Sequence, residues 1–213
     1  LRKKGIRFSH NNSVTLLTTG REKFNDLFKA IDQARSSIHL EYFNFRNDSI
    51  NEELIKHLAA KAKEGVEVRA VFDGFGNASN NRPMKKKNLK SIREKGIQIY
   101  EFKPMEFPWL HDIFNRDHRK IVVIDGKVAY TGGMNVADYY INGTKVVGSW
   151  HDMHCRIEGD EVNTLQNIFL RMWYLASEQK IHGAKYYRGI SNADYIKGLK
   201  QDTCGSVGNK MVG

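Results

Sequence analysis

Residues 111–135 read HDIFNRDHRKIVVIDGKVAYTGGMN. Two short apolar runs, Lys120–Ile124 and Lys127–Gly132, flank Asp125-Gly126, a dipeptide suited to a tight hairpin turn. An antiparallel hairpin is therefore expected here. Side chains two apart on a strand share a face, so His118 and Lys120 project side by side at its head. An imidazole beside an ammonium is an unfavourable pair if both are charged. Lys120 is therefore expected to keep His118 neutral and nucleophilic. A phosphate would relieve the repulsion, because lysine supplies a point charge for its oxygens. Gly132-Gly133 leaves the backbone open to close approach, and Asn135 adds amide donors.

The segments before the hairpin alternate. Residues 22–35 carry Phe24, Leu27, Phe28, Ile31 and Ala34 at helical spacing, and 36–45 read as a strand. A second amphipathic helix, 51–65, closes on Gly65 and leads into a strand at 66–72. A turn-like DGFGNASNN, a basic helix over 84–96 and a third strand over 97–102 follow. Helix-strand alternation implies parallel pairing. With the hairpin added, the expected class is α/β: a mixed, mostly parallel β-sheet flanked by helices on both faces. Residues 153–159 read as one more strand, and 160–179 as the longest helix, with Val162, Leu165, Ile168, Phe169, Met172 and Leu175 as its stripe. The expected domain runs from 1 to 182, and 183–213 reads as an extension or linker.

The wider composition narrows the chemistry. With 213 residues and 40% apolar side chains, the chain can bury a substantial core. No stretch approaches the about 18 apolar residues that a spanning helix needs. Lysine and arginine number 34 against 24 acids, a net charge of +10 that favours polyanionic partners. Cys155 and Cys204 make no disulfide framework, so a reducing compartment is the default.

His118-x-Lys120-x4-Asp125, followed by Gly132-Gly133-x-Asn135, resembles the HKD motif of the phospholipase D superfamily. IHLEYFNF, KEGVEVRAVFDGFG and WHDMHCRIEG resemble the flanking segments of bacterial cardiolipin synthases, so that the likeness covers most of residues 14–180. Many members have Ser where Gly133 stands; that hydroxyl is absent here. The resemblance implies that His118 attacks a phosphodiester to form a phosphohistidine, which an alcohol or water then displaces. It implies that Lys120 and Asn135 hold the non-bridging oxygens, with Gly132 and Gly133 lining the substrate site. It implies no metal or other cofactor, and the sequence has no cluster with zinc-ligand spacing. Asp152 matches the position that orients the histidine ring, and it can equally be a strand-start residue. Asp125 belongs to the motif and supports it from its turn. Glu41, in an otherwise apolar strand, is a candidate support of the site, or the ion-pair partner of an Arg or Lys.

The superfamily's mechanism takes a second histidine from a second HKD motif. None of His10, His39, His57, His111, His151, His154 and His182 is followed by x-Lys-x4-Asp. The chain is therefore expected to supply half a site. Its opening on Leu1 leads to the expectation of a segment cut from a longer protein with a second half beyond it, and pairing with a second copy is the alternative. The function implied is a phosphatidyltransferase, cardiolipin synthase, acting on phosphatidylglycerol at a membrane surface. Its catalytic domain would face the cytoplasm of a membrane-associated full-length protein. The alternative is a homodimeric phosphodiesterase or nuclease whose partner is nucleic acid. Phe107, Trp109, Leu110, Ile113 and Phe114, with Lys85, Lys86, Lys87 and Lys90, form a candidate membrane-contacting lip.

Overall fold

The chain's structure is a computed structural model that describes residues 11–105, 116–146 and 148–196. The aromatic run Phe107–Phe114 and residues from 197 onward lie outside the described residues.

Its centre is a seven-stranded sheet in the order β1-β7-β6-β5-β2-β3-β4. The strands are β1 Ser13–Leu17, β2 Ser37–Tyr42, β3 Glu67–Asp73, β4 Gln98–Phe102, β5 Lys120–Ile124, β6 Val128–Gly132 and β7 His154–Glu158. β2–β3 and β3–β4 pair in parallel, whereas every other neighbouring pair is antiparallel. The helical crossovers thus build one side of the sheet and the hairpin builds the other.

One face is covered by α1 Gly20–Asp32, α2 Ser49–Lys63 and α4 Lys86–Glu94. Leu27 and Ile31 of α1, Leu54 and Leu58 of α2, and Leu89 and Ile92 of α4 meet Ile38, Leu40, Val68 and Val122 of the sheet in the larger core. Single helix faces of this kind form because their apolar residues recur every three to four positions. α6 Glu161–Ser177 covers the opposite face. It packs Val162 and Leu165 on Ile121, Val123 and Ala129, and Phe169 and Trp173 on Val71 and Phe102. Two short helices complete the fold, α3 Gly74–Ala78 and α5 Tyr139–Asn142.

α3 occupies what the sequence presents as a turn. Asp73 ends β3 and accepts the amides of Phe75 (2.8 Å) and Gly76 (3.0 Å), so a glycine-rich stretch winds into a single capped turn. The β5–β6 register pairs Ile124 with Val128, which leaves a three-residue connection where a two-residue loop is expected. Asp125 and Gly126 both take positive φ there, 53° and 61°. Residues 184–187 lie against the domain: Tyr186 is buried and donates to Glu67 (2.6 Å), and Tyr187 donates to Asn167 (2.6 Å).

Candidate active site

The C-terminal ends of β2, β3 and β4, the start of β5, the end of β6 and the start of β7 meet at one edge of the sheet. His118 and Lys120 stand at this edge. Lys120 is 3% exposed and lies across from Tyr42 in the sheet, whereas His118 is exposed above it. The Lys120 ammonium donates to the His118 carbonyl (2.6 Å) and lies 3.1 Å from Nδ1 and 3.3 Å from Nε2 of the same residue. The ring also packs on Phe43, centroid to centroid 4.6 Å.

These contacts set the charges. Partial burial, then the Lys120 charge, lower the His118 pKa from its ordinary 6.5, while Asp117 and Asp73 pull the other way. Burial also lowers the Lys120 amine, with Asp117 and Asp152 favouring its charged form. The result is an accessible imidazole biased towards its neutral, nucleophilic form beside a buried cation.

The chain reaches His118 along a fixed path. The Asp117 amide donates to Asp73 Oδ2 (2.9 Å), the carboxylate that also caps α3, and Arg116 lies 3.6 Å from the other oxygen of Asp73. Asn135 follows β6 at the same edge. Its Oδ1 accepts from the Asn44 amide (3.1 Å) and its Nδ2 donates to the Tyr140 hydroxyl (3.3 Å), which leaves one amide hydrogen uncommitted among the described residues. Behind it, Asp138 accepts from Ser49 and Ile50 at the start of α2, and the Asp138 amide donates to Asp48. Each helix start thereby anchors the other.

Gly132 and Gly133 make room for protein. A Cβ on Gly132, whose φ is 154°, would stand 2.5 Å from the Met153 carbonyl oxygen and 2.7 Å from His154 Nδ1. A Cβ on Gly133 would stand 2.1 Å from Asp152 Oδ1. The pair lets the start of β7 press against the turn and brings the Asp152 carboxylate into range of Lys120. Asp152 accepts from the Met153 amide (2.7 Å) and is not among the hydrogen-bond partners of the His118 ring. The described site thus links Asp152 to Lys120 electrostatically, not to the imidazole.

Asp125 stands apart. β5 runs from Lys120 to Ile124, so Asp125 lies at its far end, roughly 16 Å along the strand from Lys120. Its carboxylate accepts the amides of Arg35 (2.9 Å), Ser36 (2.7 Å) and Ser37 (3.0 Å), binding the hairpin to the start of β2. Glu41 projects from the sheet's other face, fully buried, 2.8 Å from Arg119 Nε, which also bonds Asp117 at 2.8 Å. Burial and the Asp117 charge push its pKa up to about 9. Glu41 thus braces the residues flanking His118 from behind and does not face the Lys120 side. Asp73, Asp117 and Arg119 are the contributors that motif reading passes over.

A model of the family described as cardiolipin synthase, PLD-like domain, matches residues 27–173. Cardiolipin synthase 2 of Staphylococcus epidermidis is 43% identical over 189 residues, covering 87% of this chain and 38% of that protein. Cardiolipin synthase 1 of Bacillus cereus is 38% identical over 192 residues, covering 85% and 37%. The chain therefore spans under two fifths of the length of these relatives. Among solved structures, the phospholipase D family member NUC of Salmonella typhimurium superposes with a TM-score of 0.57 at 18% identity, over 80% of this chain and 100% of that one. Phosphatidylserine synthase of Haemophilus influenzae superposes with 0.61 at 14% identity, over 89% and 42%; both likenesses concern the fold alone. The extent of the family match and the identity to the two synthases make this chain a member of the cardiolipin synthase, PLD-like domain family.

Proposed function

We propose that this chain supplies one HKD half-site of a phosphatidyltransferase that makes cardiolipin from two molecules of phosphatidylglycerol. The observation that carries the reading is the contact of the exposed His118 ring with the buried Lys120 ammonium at 3.1 Å. A His118 nitrogen attacks the phosphorus of one phosphatidylglycerol. The P–N bond forms as the P–O bond to the head-group glycerol breaks. Lys120, with the free amide hydrogen of Asn135, bears the charge that grows on the non-bridging oxygens. A histidine of the second half protonates the departing glycerol oxygen. The same histidine, now a base, takes the proton of the terminal hydroxyl of the next phosphatidylglycerol, whose oxygen displaces His118. The second half comes from sequence beyond this segment, towards which residues 183–213 lead, or from a second copy. Anionic headgroups at the membrane surface are the substrate, and the site works from the cytoplasmic side of a membrane-associated protein.

The test uses phosphatidylglycerol vesicles and single-stranded DNA in separate arms, with this chain alone and joined to a second HKD half. Glycerol release that needs the second half, without DNA cleavage, supports the reading. DNA cleavage by a stable dimer of this chain, with no glycerol release, overturns it in favour of a nuclease. His118→Ala is expected to lower glycerol release by roughly three orders of magnitude or more, and chelators are expected to leave it unchanged.

A further inference from the structure

Behind Lys120 lies a second group of polar side chains that the mechanism leaves unused. Tyr42 is the cross-strand partner of Lys120, and His154 is the partner of both Gly132 and Leu17. α1 lies over this row, and its Lys23 points down into it, 4.9 Å from the Tyr42 ring centroid and 3.7 Å from that of Phe24. Lys23, Tyr42 and His154 are all 0% exposed. Among the described residues, Lys23 Nζ, Tyr42 Oη and both ring nitrogens of His154 have no hydrogen-bond partner.

A buried amine without a counter-charge destabilises a fold, and so does a buried imidazole with neither nitrogen bonded. Burial drives both towards their neutral forms: Lys23 far below its ordinary 10.5, and His154 down to about 2, where the Lys120 charge adds to the effect. Among the described residues, no nearby acid answers them. Asp26, one turn along α1, is held by Tyr130 (2.5 Å) and Arg156 (3.2 Å). Asp152 acts on Lys120, and Glu41 faces the opposite side of the sheet. Tyr140 of α5 abuts the start of α1. Gly132 meanwhile keeps clear the space that the His154 ring fills, directly under the turn leading to Asn135. A negative charge reaching this tier must therefore come from the side of Lys120.

We propose that Lys23 and His154 form a buried second tier of the phosphate site, acting as positioning residues drawn into play when a phosphate group settles on His118 and Lys120. The proposal rests on the phosphate-site reading above. An arriving phosphate supplies the counter-charge that Lys23 lacks. Lys23 then takes a proton from solvent, and its ammonium can donate to His154 or Tyr42, so phosphate binding is coupled to proton uptake.

The test titrates inorganic phosphate into the full chain and into Lys23→Met, His154→Gln and Lys120→Ala. Calorimetry in two buffers of different ionisation heat reads proton uptake, and thermal unfolding is followed without phosphate. Lys23→Met keeps the apolar stem and removes the amine. It should unfold at a higher temperature than the parent, yet bind phosphate roughly tenfold or more weakly and without the proton uptake. His154→Gln should weaken binding in the same direction, and it carries the test if Lys23→Met fails to fold. Parent-like binding by both tier variants, with binding lost in Lys120→Ala, overturns the second tier and leaves the site standing. Parent-like binding in all three overturns the site and the tier together. Weaker binding by Lys23→Met with a lower unfolding temperature makes Lys23 a packing residue and also overturns the proposal.

Discussion

His118 sits at the mouth of the strand that Lys120 begins, and the consequence is a titration displaced to acid. With partial burial and the Lys120 charge acting together, the imidazole gives up its proton at a lower pH than its ordinary midpoint of 6.5. NMR of the His118 ring should give a midpoint below 6.5. Lys120→Met should move it upward, since removing a nearby cation makes protonation easier. The two glycines give a second residue-scale contrast. A methyl at Gly132 meets backbone atoms, at 2.5 Å and 2.6 Å, on top of a positive φ; a methyl at Gly133 meets the side-chain carboxylate of Asp152, which can turn away. Gly132→Ala should therefore cost about 2–4 kcal/mol in denaturant unfolding, and Gly133→Ala about 1 kcal/mol or less. The spacing His118-x-Lys120 and the Gly-Gly pair were legible because a strand forces residues two apart onto one face. Asp73 and Asp117 were not, since their role depends on a capped turn that brings 73 beside 117. Lys23 left a faint mark: a lysine on the otherwise apolar face of Phe24, Leu27 and Ile31.

At the scale of elements, the parallel strands and their helices followed the sequence pattern closely, because β2 and β3 are buried on both faces, β4 carries a compact apolar run and the helices bury one stripe. β1 escaped notice. It is an edge strand with Val14 60% and Leu16 52% exposed, so no alternation of buried and exposed positions marks it. α3 escaped for the opposite reason: GFGNA has poor helix propensity and turns only because Asp73 caps it. The hairpin's own role is mechanical. Asp125→Ala should cost about 2–3 kcal/mol of stability through three lost amide contacts, while phosphate binding to the folded protein stays within about twofold. A loss of binding without loss of stability would return Asp125 to the site. On the α6 face, Glu41 titrates far above its unfolded value of 4.5, at about 9. The folded state therefore holds a proton that the unfolded state releases, and stability should fall as pH rises from 4.5 towards 9. Glu41→Gln should flatten that slope in pH-dependent urea unfolding; an unchanged slope would place the titration elsewhere.

For the whole molecule, the sheet gathers His118, Lys120, Asn135 and Asp152 at one edge and sends Asp125 and the His39–Gln166 contact elsewhere. In the proposed transfer that arrangement supplies the nucleophile and the phosphate cradle, and the transfer also needs a proton donor for the leaving glycerol. The absence of a second His-x-Lys-x4-Asp run was plain in the sequence, and the chain spans 38% of the length of its Staphylococcus epidermidis relative. How the second half docks was not legible, because the pattern of one domain says little about a surface completed by another. The covalent step can be isolated from that question. This chain, joined to an intact second HKD half, is incubated with phosphatidylglycerol vesicles, quenched under alkaline conditions within the first turnover and examined by intact-peptide mass spectrometry. The peptide bearing His118 is predicted to carry an acid-labile phosphatidyl group that is missing from His118→Asn. An unmodified His118 beside active glycerol release, or the adduct on another residue, would contradict the account.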